Sequence, residues 1–431
     1  MIRKVYKMTP FQLKEKLLAG ELSKYTSLYS DIEYQTKRMI YAIERFEEKY
    51  GSDRDIYLLS VPGRSEILGN HTDHNHGKVM AGAINRDIIS VVSKNDKGQI
   101  RFFSEGYHES VIGISASHDP KNFRQFTSAA LVAGMVRGFT DGGYNVGGFD
   151  AYTTTEVLKG SGLSSSAAFE VMIGNILNHL YNGGEVDNKE IAKIAQFSEN
   201  VYFGKPCGLM DQMACAVGGF VYIDFVDEKN PVVNPIRFSL GDHGYSLCIV
   251  NTGGSHSNLN DDYASVPGEM KAVAKALGGE VLRGKTKAQL LKIMPELRSK
   301  VGDRAILRAM HFLSENDRVE SAKAALKSGN IGEFFRNVRA SGNSSYKFLQ
   351  NVFTTQNVSE QGLSLALCIT EEFLDTHAGA CRVHGGGFAG TIQAFIRNTD
   401  VEEYRALMDS VFGEGATMPL FVRPLGATRL F

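Results

Sequence analysis

The chain has no tryptophan and only ten prolines in 431 residues. Its five cysteines (Cys207, Cys215, Cys248, Cys368 and Cys381) are odd in number and widely spread. No Cys-x-x-Cys pair occurs, which excludes the common zinc and dithiol redox motifs. Buried or spare thiols in a reducing cytoplasm are the expected reading. No apolar run is long enough to span a bilayer, and residues 1–7 lack the apolar core of a secretory signal. A charge excess is missing as well: 47 Lys and Arg against 48 Asp and Glu leave −1. That balance argues against a nucleic-acid surface. Internal repeats and low-complexity tracts are absent. What remains is the composition of a globular protein, 43% hydrophobic and 22% charged, and long enough for about two domains.

One glycine–serine stretch organises the chain: Gly160-Ser161-Gly162-Leu163-Ser164-Ser165-Ser166-Ala167-Ala168. Before it, Phe149-Asp150-Ala151-Tyr152-Thr153-Thr154-Thr155 reads as a strand. After it, Phe169, Met172, Ile173, Ile176, Leu177 and Leu180 recur at helical spacing, and Asn182-Gly183-Gly184 ends the helix. A loop joining a strand to a helix N-terminus offers free N–H groups and a dipole that favours an anion. Serines add donors for phosphate or ligands for magnesium. The loop is neither a Walker A nor a Gly-x-Gly-x-x-Gly sequence. A flexible linker is the plain alternative, disfavoured because ordered elements flank it closely.

In chain order, Thr9-Pro10-Phe11-Gln12 starts a helix with a capping box. Met39, Ile43, Phe46 and Tyr50 mark a second helix, ended by Gly51. Residues 1–55 thus form a helical extension packed on the first domain. A strand follows at residues 56–61. It runs into Gly63-Arg64-Ser65-Glu66-Ile67-Leu68-Gly69-Asn70-His71-Thr72-Asp73-His74-Asn75-His76-Gly77, a polar stretch read as a loop. Its mixture of guanidinium, carboxylates, imidazoles and amides is costly to bury without partners. It suits a hydroxyl-rich ligand better than a metal, because no helical i, i+4 ligand pair is formed. Residues 88–93 and 99–103 flank a turn and predict a hairpin. Helices are predicted over residues 126–138 and 191–202, and another opens at Pro206-Cys207-Gly208-Leu209-Met210-Asp211-Gln212-Met213. An acid near a helix start can owe its place to the dipole alone. Strands are predicted at 221–225, 245–250 and 391–396. Further helices are predicted over 267–277, 287–292, 306–325 and 331–353. The Gly385-Gly386-Gly387 cluster implies close backbone approach or a tight turn.

Three of these motifs, in this order, resemble the GHMP kinases and among them the galactokinases. Gly63 to Asn75 resembles the sugar-binding signature and Gly160 to Ala168 the ATP-phosphate loop. Gly385-Gly386-Gly387-Phe388-Ala389-Gly390 resembles the third, glycine-rich motif. The resemblance implies an α+β fold of two domains, 56–240 and 241–431, with the active site in the cleft between them. It implies phosphoryl transfer from ATP, with Mg2+, to the anomeric hydroxyl of a sugar. Carried over, Asp211 is the catalytic base and Arg64 its charge-stabilising partner. Ser166 and Glu199 hold magnesium. Gly160, Ser161, Gly162, Leu163, Ser164, Ser165 and Ser166 hold the ATP phosphates, with Ser104 touching the nucleotide. Asn70, His71, Thr72, Asp73, Gly208 and Tyr263 hold the sugar. No nucleic-acid or membrane partner is implied, and a cytoplasmic monomer is favoured.

The chain departs from that pattern in places. Galactokinases usually carry Glu at position 70 and Tyr at 74, where this chain has Asn70 and His74. Leu158, His384 and Ala389 replace a proline, a threonine and a glycine. The family glutamate contacts the far end of the sugar, near its C6 hydroxyl. A charged hydrogen bond contributes roughly 1.5–3 kcal/mol and a neutral one about 0.5–1.5, so Asn70 is expected to weaken galactose binding about tenfold. A glutamate facing a C6 carboxylate would suffer about 4 kcal/mol of repulsion at 4 Å and a dielectric of 20. Asn70 removes it and His74 can add a positive charge, which opens galacturonate as an alternative substrate. A third reading is a non-catalytic sugar and ATP sensor, in which the serine–alanine part of the loop is damaged. Here Ser166-Ala167, Asp211 and Arg64 are intact.

Overall fold

The computed structural model describes residues 8–157, 162–254 and 259–431. Gly160 and Ser161, assigned above to the ATP phosphates, and Leu158 lie outside the described residues. Thr9 caps α1 (Pro10–Leu18), and Gln12 returns the bond to the Thr9 N–H at 3.0 Å. Asp31 caps α2 (Ile32–Tyr50), which stops at Gly51. Leu13, Leu17, Met39, Ile43 and Phe46 bury their apolar stripe against Leu58, Ile89 and Val91 of the strands that follow.

Strand β1 (Tyr57–Leu68) pairs antiparallel with β2 (Lys78–Lys94). Pro62-Gly63 predicted a stop near Val61, yet β1 runs on to Leu68. Register shifts at Pro62/Arg64 and Glu66/Leu68 absorb the irregular residues, as bulges do. The stretch from Gly63 to Leu68 is therefore strand, and Arg64 and Glu66 sit on the sheet.

Then come β3 (Gln99–Ser104), β4 (Ser110–Gly113), α3 (Ser128–Asp141) and β5 (Phe149–Thr155). The predicted hairpin between residues 88–93 and 99–103 does not form. β5 lies between the two, antiparallel to β2 and parallel to β3. Its first six residues are buried, so insertion gains more apolar burial than a two-stranded hairpin would. Helices α4 (Ser165–Tyr181), α5 (Asn188–Phe197) and α6 (Met210–Val217) precede β6 (Phe220–Asp224) and β7 (Val232–Ile236). A π-helical turn, Ser198–Phe203, ends α5. Leu59 and Val61 face α3–α6 while Leu58 faces α2, the period-2 alternation of a strand.

The second half contains β8 (Tyr245–Asn251), α7 (Asn260–Ala276), α8 (Lys287–Lys292), α9 (Met294–Val301), α10 (Asp303–Lys327) and α11 (Ile331–Ser344). It continues through α12 (Gly362–Leu374), β9 (Gly379–Val383), β10 (Thr391–Arg397), α13 (Val401–Phe412), β11 (Thr417–Leu420) and β12 (Thr428–Arg429). The helix predicted over 331–353 closes early, through a π turn at Ser345–Leu349 and Gln350 at φ 57°. Strands β11-β8-β10-β9 form a four-stranded antiparallel sheet; β12 returns to pair with β1 in the eight-stranded one.

Two polar seams join these parts. Asp87 on β2 is fully buried and meets Arg38 of α2 at 2.7 Å, Arg423 at 3.3 Å and the Tyr29 hydroxyl at 2.7 Å. The extension is thus tied to the sheet by charge as well as by apolar contact. On the other side, Arg382 and Gln393 donate to the Ile67 carbonyl at 2.9 and 3.0 Å. That contact brings β9 and β10 against the end of β1.

Candidate active site

Arg64 is the junction. Its backbone N–H donates to the Leu163 carbonyl at 3.1 Å, and its guanidinium donates to the Gly162 carbonyl. Nε and the second terminal nitrogen then grip Asp211 in a fork, at 2.7 and 2.6 Å. Such bidentate pairs fix orientation as well as charge. Asp211 lies in the first turn of α6 and also accepts from the Ser164 hydroxyl. Burial alone would raise its pKa, but the Arg64 charge and hydrogen bonds outweigh that and hold it below the usual carboxylate range. It is an ionised acceptor aimed at the mouth of the loop.

The described part of the loop begins at Gly162, in the left-handed region at φ 73° and exposed. A Cβ there would sit 3.1 Å from the His384 ring. Leu163 plugs the core, and Ser164 turns the chain at φ 57° into α4. Ser164, Ser165 and Ser166 remain half-buried at the helix N-terminus. Ser166 donates to Glu199 at 3.2 Å. Glu199, on the π turn, is also met by Gln212 at 2.8 Å and Lys205 at 3.4 Å. The same Gln212 amide donates to Glu170 at 3.2 Å. Glu170 is fully buried, and burial together with the Glu199 charge pushes its pKa well up. Among the described residues, one Glu170 oxygen has no hydrogen-bond partner. A hydroxyl and a carboxylate this close form a hard-oxygen pair suited to magnesium, which takes few protein ligands and fills its shell with phosphate and water. Among the described residues no three His, Cys, Asp or Glu side chains gather into a metal cluster.

The polar stretch closes the opposite side. His71, at φ 57°, donates through Nε2 to the Gly386 carbonyl at 2.8 Å. Burial lowers its pKa, so the ring is neutral. Asp73 is half-buried beside Gly208, where a Cβ would lie 2.6 Å from its Oδ2. No side chain larger than hydrogen fits at 208 with Asp73 in place. Tyr263 on α7 donates to the Gly387 carbonyl at 2.8 Å. Asp73, His74, Gln196, Asn200, Cys207 and Gly208 line an open cleft of about 470 Å³. A larger hollow of about 830 Å³ lies beyond the glycine turn, by Thr252, Thr354, Gln361 and Phe388, and contains none of these groups.

Three assigned residues stand elsewhere. Thr72 is fully buried and spends its hydroxyl on the Gly69 and Lys78 carbonyls at 2.9 and 2.7 Å. Asn70 is fully buried, with both amide atoms engaged. Nδ2 donates to Glu66 at 2.9 Å and to the Gly385 carbonyl at 2.7 Å, and Oδ1 accepts from Asn351 at 2.7 Å. As packed, the polar atoms of both side chains are engaged by protein partners on either side of His71 and Asp73. Ser104 bonds to Thr153 at 2.9 Å, and among the described residues no hydrogen bond joins it to the Arg64–Asp211 pair.

Sequence reading missed four contributors. His384 is buried beneath the loop, between the Ser65 and Thr391 hydroxyls at 3.1 and 2.8 Å, and burial holds its pKa at about 3. Glu170 recurs one helical turn after Ser166, a spacing that could have flagged it. Asn351 gave no local signal. Glu66 stands two residues after Arg64, the same-face interval once β1 is known to continue.

Comparisons with known proteins match the same segments of the chain. Residues 128–219 match the GHMP kinases N terminal domain, and residues 44–94 match the galactokinase galactose-binding signature. The chain is 30% identical over 392 residues to the galactokinase of Streptomyces coelicolor, covering 90% of this chain and 97% of that one. It is 30% identical over 369 residues to the galactokinase of Actinobacillus pleuropneumoniae serotype 3, covering 85% and 92%. Among solved structures, the galactokinase of Lactococcus lactis complexed with galactose superposes with a TM-score of 0.75 at 22% identity. The match covers 90% of this chain and 98% of that one.

Proposed function

The chain belongs to the galactokinase family of GHMP kinases, and on that premise we propose that it transfers the γ-phosphoryl group of ATP to the anomeric hydroxyl of galactose, giving ADP and galactose 1-phosphate. The observation that carries the reading is the Arg64–Asp211 fork clamped to the Gly162 carbonyl. One residue of β1 thereby fixes both the acceptor for the sugar's proton and the edge of the phosphate loop.

In this reading Gly160 through Ser166 hold the ATP phosphates, with the free N–H groups at the start of α4 facing them. Ser166 and Glu199 would hold a magnesium ion, which when bound would supply positive charge against the phosphate oxygens. Asp211 accepts the hydrogen bond of the anomeric hydroxyl and takes its proton as the O–P bond forms. A carboxylate held this low is a weak base. Phosphoryl transfer asks mainly for positioning and charge neutralisation, so the orientation of the hydroxyl matters more than basic strength. Arg64 keeps Asp211 ionised and adds charge where negative charge spreads. His71, Asp73, Gly208 and Tyr263 define the sugar side. Residues 56–240 and 241–431 act as the two halves of the kinase, with 1–55 an extension that braces the sheet, and the enzyme works as a cytoplasmic monomer.

Glu66 is the feature that counts against galacturonate in this reading. Glu66 sets a buried carboxylate against Asn70, so an asparagine at 70 does not leave the region without an acidic group. The neighbouring Arg382, at 3.3 Å, is already paired with Glu66, while Lys193 and Lys229 line the cleft beside His74. Steady-state ADP release with ATP and Mg2+ should rank galactose first among galactose, galacturonate, N-acetylgalactosamine, glucose and arabinose. Preferred turnover of galacturonate would reverse the assignment of the sugar, and ATP binding without turnover of any sugar would favour a sensor.

A further inference from the structure

Glu66 is the one acidic side chain of β1, and nothing in the reaction described so far uses it. It shares its strand with Arg64, two residues away, so alternation points both to one face. The register shift that follows, between Glu66 and Leu68, lies just beyond it. The residue is 7% exposed. Oε1 is occupied, by Asn70 Nδ2 at 2.9 Å and Arg382 at 3.3 Å. Oε2 takes no hydrogen bond from any described residue, and it is not among the atoms sealed from solvent. Arg64, Arg382 and Asp73 are the charges that act on it, after burial itself. Two of those three belong to the candidate site. A carboxylate more than nine-tenths buried, with one oxygen that no described residue meets and that solvent still reaches, can accept a hydrogen bond from a ligand that displaces that solvent.

We propose that Glu66 is a sugar-specificity residue, its free Oε2 accepting a hydrogen bond from a ring hydroxyl of the bound sugar. This rests on the reading of the chain as a galactose kinase. Asn70 and Arg382 then act as the clamp that aims it: they hold Oε1 and fix the carboxylate plane, so the second oxygen has one direction left. The arrangement separates two tasks. Position 70 sets the backbone, and position 66 supplies the acceptor. It favours a neutral polyhydroxyl ligand over an anionic one, because a second carboxylate at Oε2 would meet a lone pair where a donor is needed.

The test pairs Glu66→Gln with galactose and its single deoxy analogues at C2, C3, C4 and C6, following ADP release. Wild-type turnover of galactose is measured first, and its absence would defeat the kinase reading itself. With turnover present, Glu66→Gln should raise KM for galactose about tenfold, equivalent to about 1.4 kcal/mol, while kcat stays within about threefold. The penalty should vanish for one deoxy analogue, the one lacking the hydroxyl that Oε2 accepts, and persist for the others. A penalty equal for every analogue would show that Glu66 only props up Asn70, and would overturn the proposal while leaving the kinase reading intact. If Glu66→Gln fails to fold, Glu66→Asp serves. It keeps the charge beside Arg382 but withdraws the oxygen, and the same analogue-specific loss is required of it.

Discussion

Asp211→Asn keeps the volume of the side chain and removes its charge. The native carboxylate receives three donors: Arg64 Nε at 2.7 Å, a terminal Arg64 nitrogen at 2.6 Å, and the Ser164 hydroxyl. An asparagine offers one oxygen and one NH2, so one of the Arg64 N–H groups must face a donor. The chemical loss is the proton acceptor, worth about 10²–10⁴ in kcat. The structural loss is one charge-assisted hydrogen bond to a guanidinium that is only 8% exposed, about 1.5–3 kcal/mol of stability. Galactose and ATP contacts elsewhere survive, so galactose affinity by calorimetry should change by less than about threefold, under 0.7 kcal/mol. The pH profile follows with its sign. A carboxylate whose folded pKa is depressed is fully effective above the ordinary value of 3.8 and fails only as pH falls through the lower folded value. Asp211 therefore imposes no acid limb on kcat between pH 5 and 8. ADP release at saturating galactose and ATP reads the first effect, and thermal unfolding reads the second. A variant with kcat within threefold of wild type would remove Asp211 from the reaction.

Other consequences can be checked with the same protein. Gly162→Ala places a methyl group 3.1 Å from the His384 ring at a φ of 73°, and should cost about 1–2 kcal/mol of backbone strain, seen as a raised KM for ATP with little change in that for galactose. Asp87→Ala leaves Arg38 and Arg423 buried without their shared partner. A loss of about 3–5 kcal/mol is expected, measured as a lower denaturation midpoint, with kcat/KM unchanged in the folded fraction. His311 and His384 are buried neutral, with pKa values lowered to about 4 and about 3, first by desolvation. The unfolded chain binds those two protons near 6.5, so stability should fall as pH drops from 6.5 towards 4, by about 1.4 kcal/mol per pH unit for each histidine. Titrating the denaturation midpoint checks this, and His384→Thr should halve that pair's share of the slope.

Local signals carried far in this chain where the chemistry is local. Thr9 with Gln12, Gly51 after α2, and the glycine–serine loop between β5 and α4 are all found where capping and turn residues placed them. The signals failed where long-range pairing decided the outcome. Nothing near Lys94 announces that β5, some fifty residues later, will displace the hairpin partner. Pro62-Gly63 announces an end that the eight-stranded sheet overrides with bulges. In the site, Arg64, Asp211, Ser166 and Glu199 were legible because their residue types and order resemble a known family. At position 70 that route gave a sugar contact but no sign of the surroundings, which come from Asn351 and Gly385, hundreds of residues away. Glu66 was overlooked for the converse reason. Its role depends on β1 continuing past the proline and on Arg382 arriving from the other sheet.

The central claim is that this chain moves a phosphoryl group from ATP to the anomeric oxygen of galactose. Phosphorus NMR of a reaction containing the protein, ATP, Mg2+ and galactose tests it most directly. ATP signals should give way to ADP and a sugar-phosphate resonance split by the anomeric proton, and Asp211→Asn should abolish it on the same time scale. Inorganic phosphate in place of a sugar phosphate, or a phosphate coupled to the C6 protons, would contradict the account.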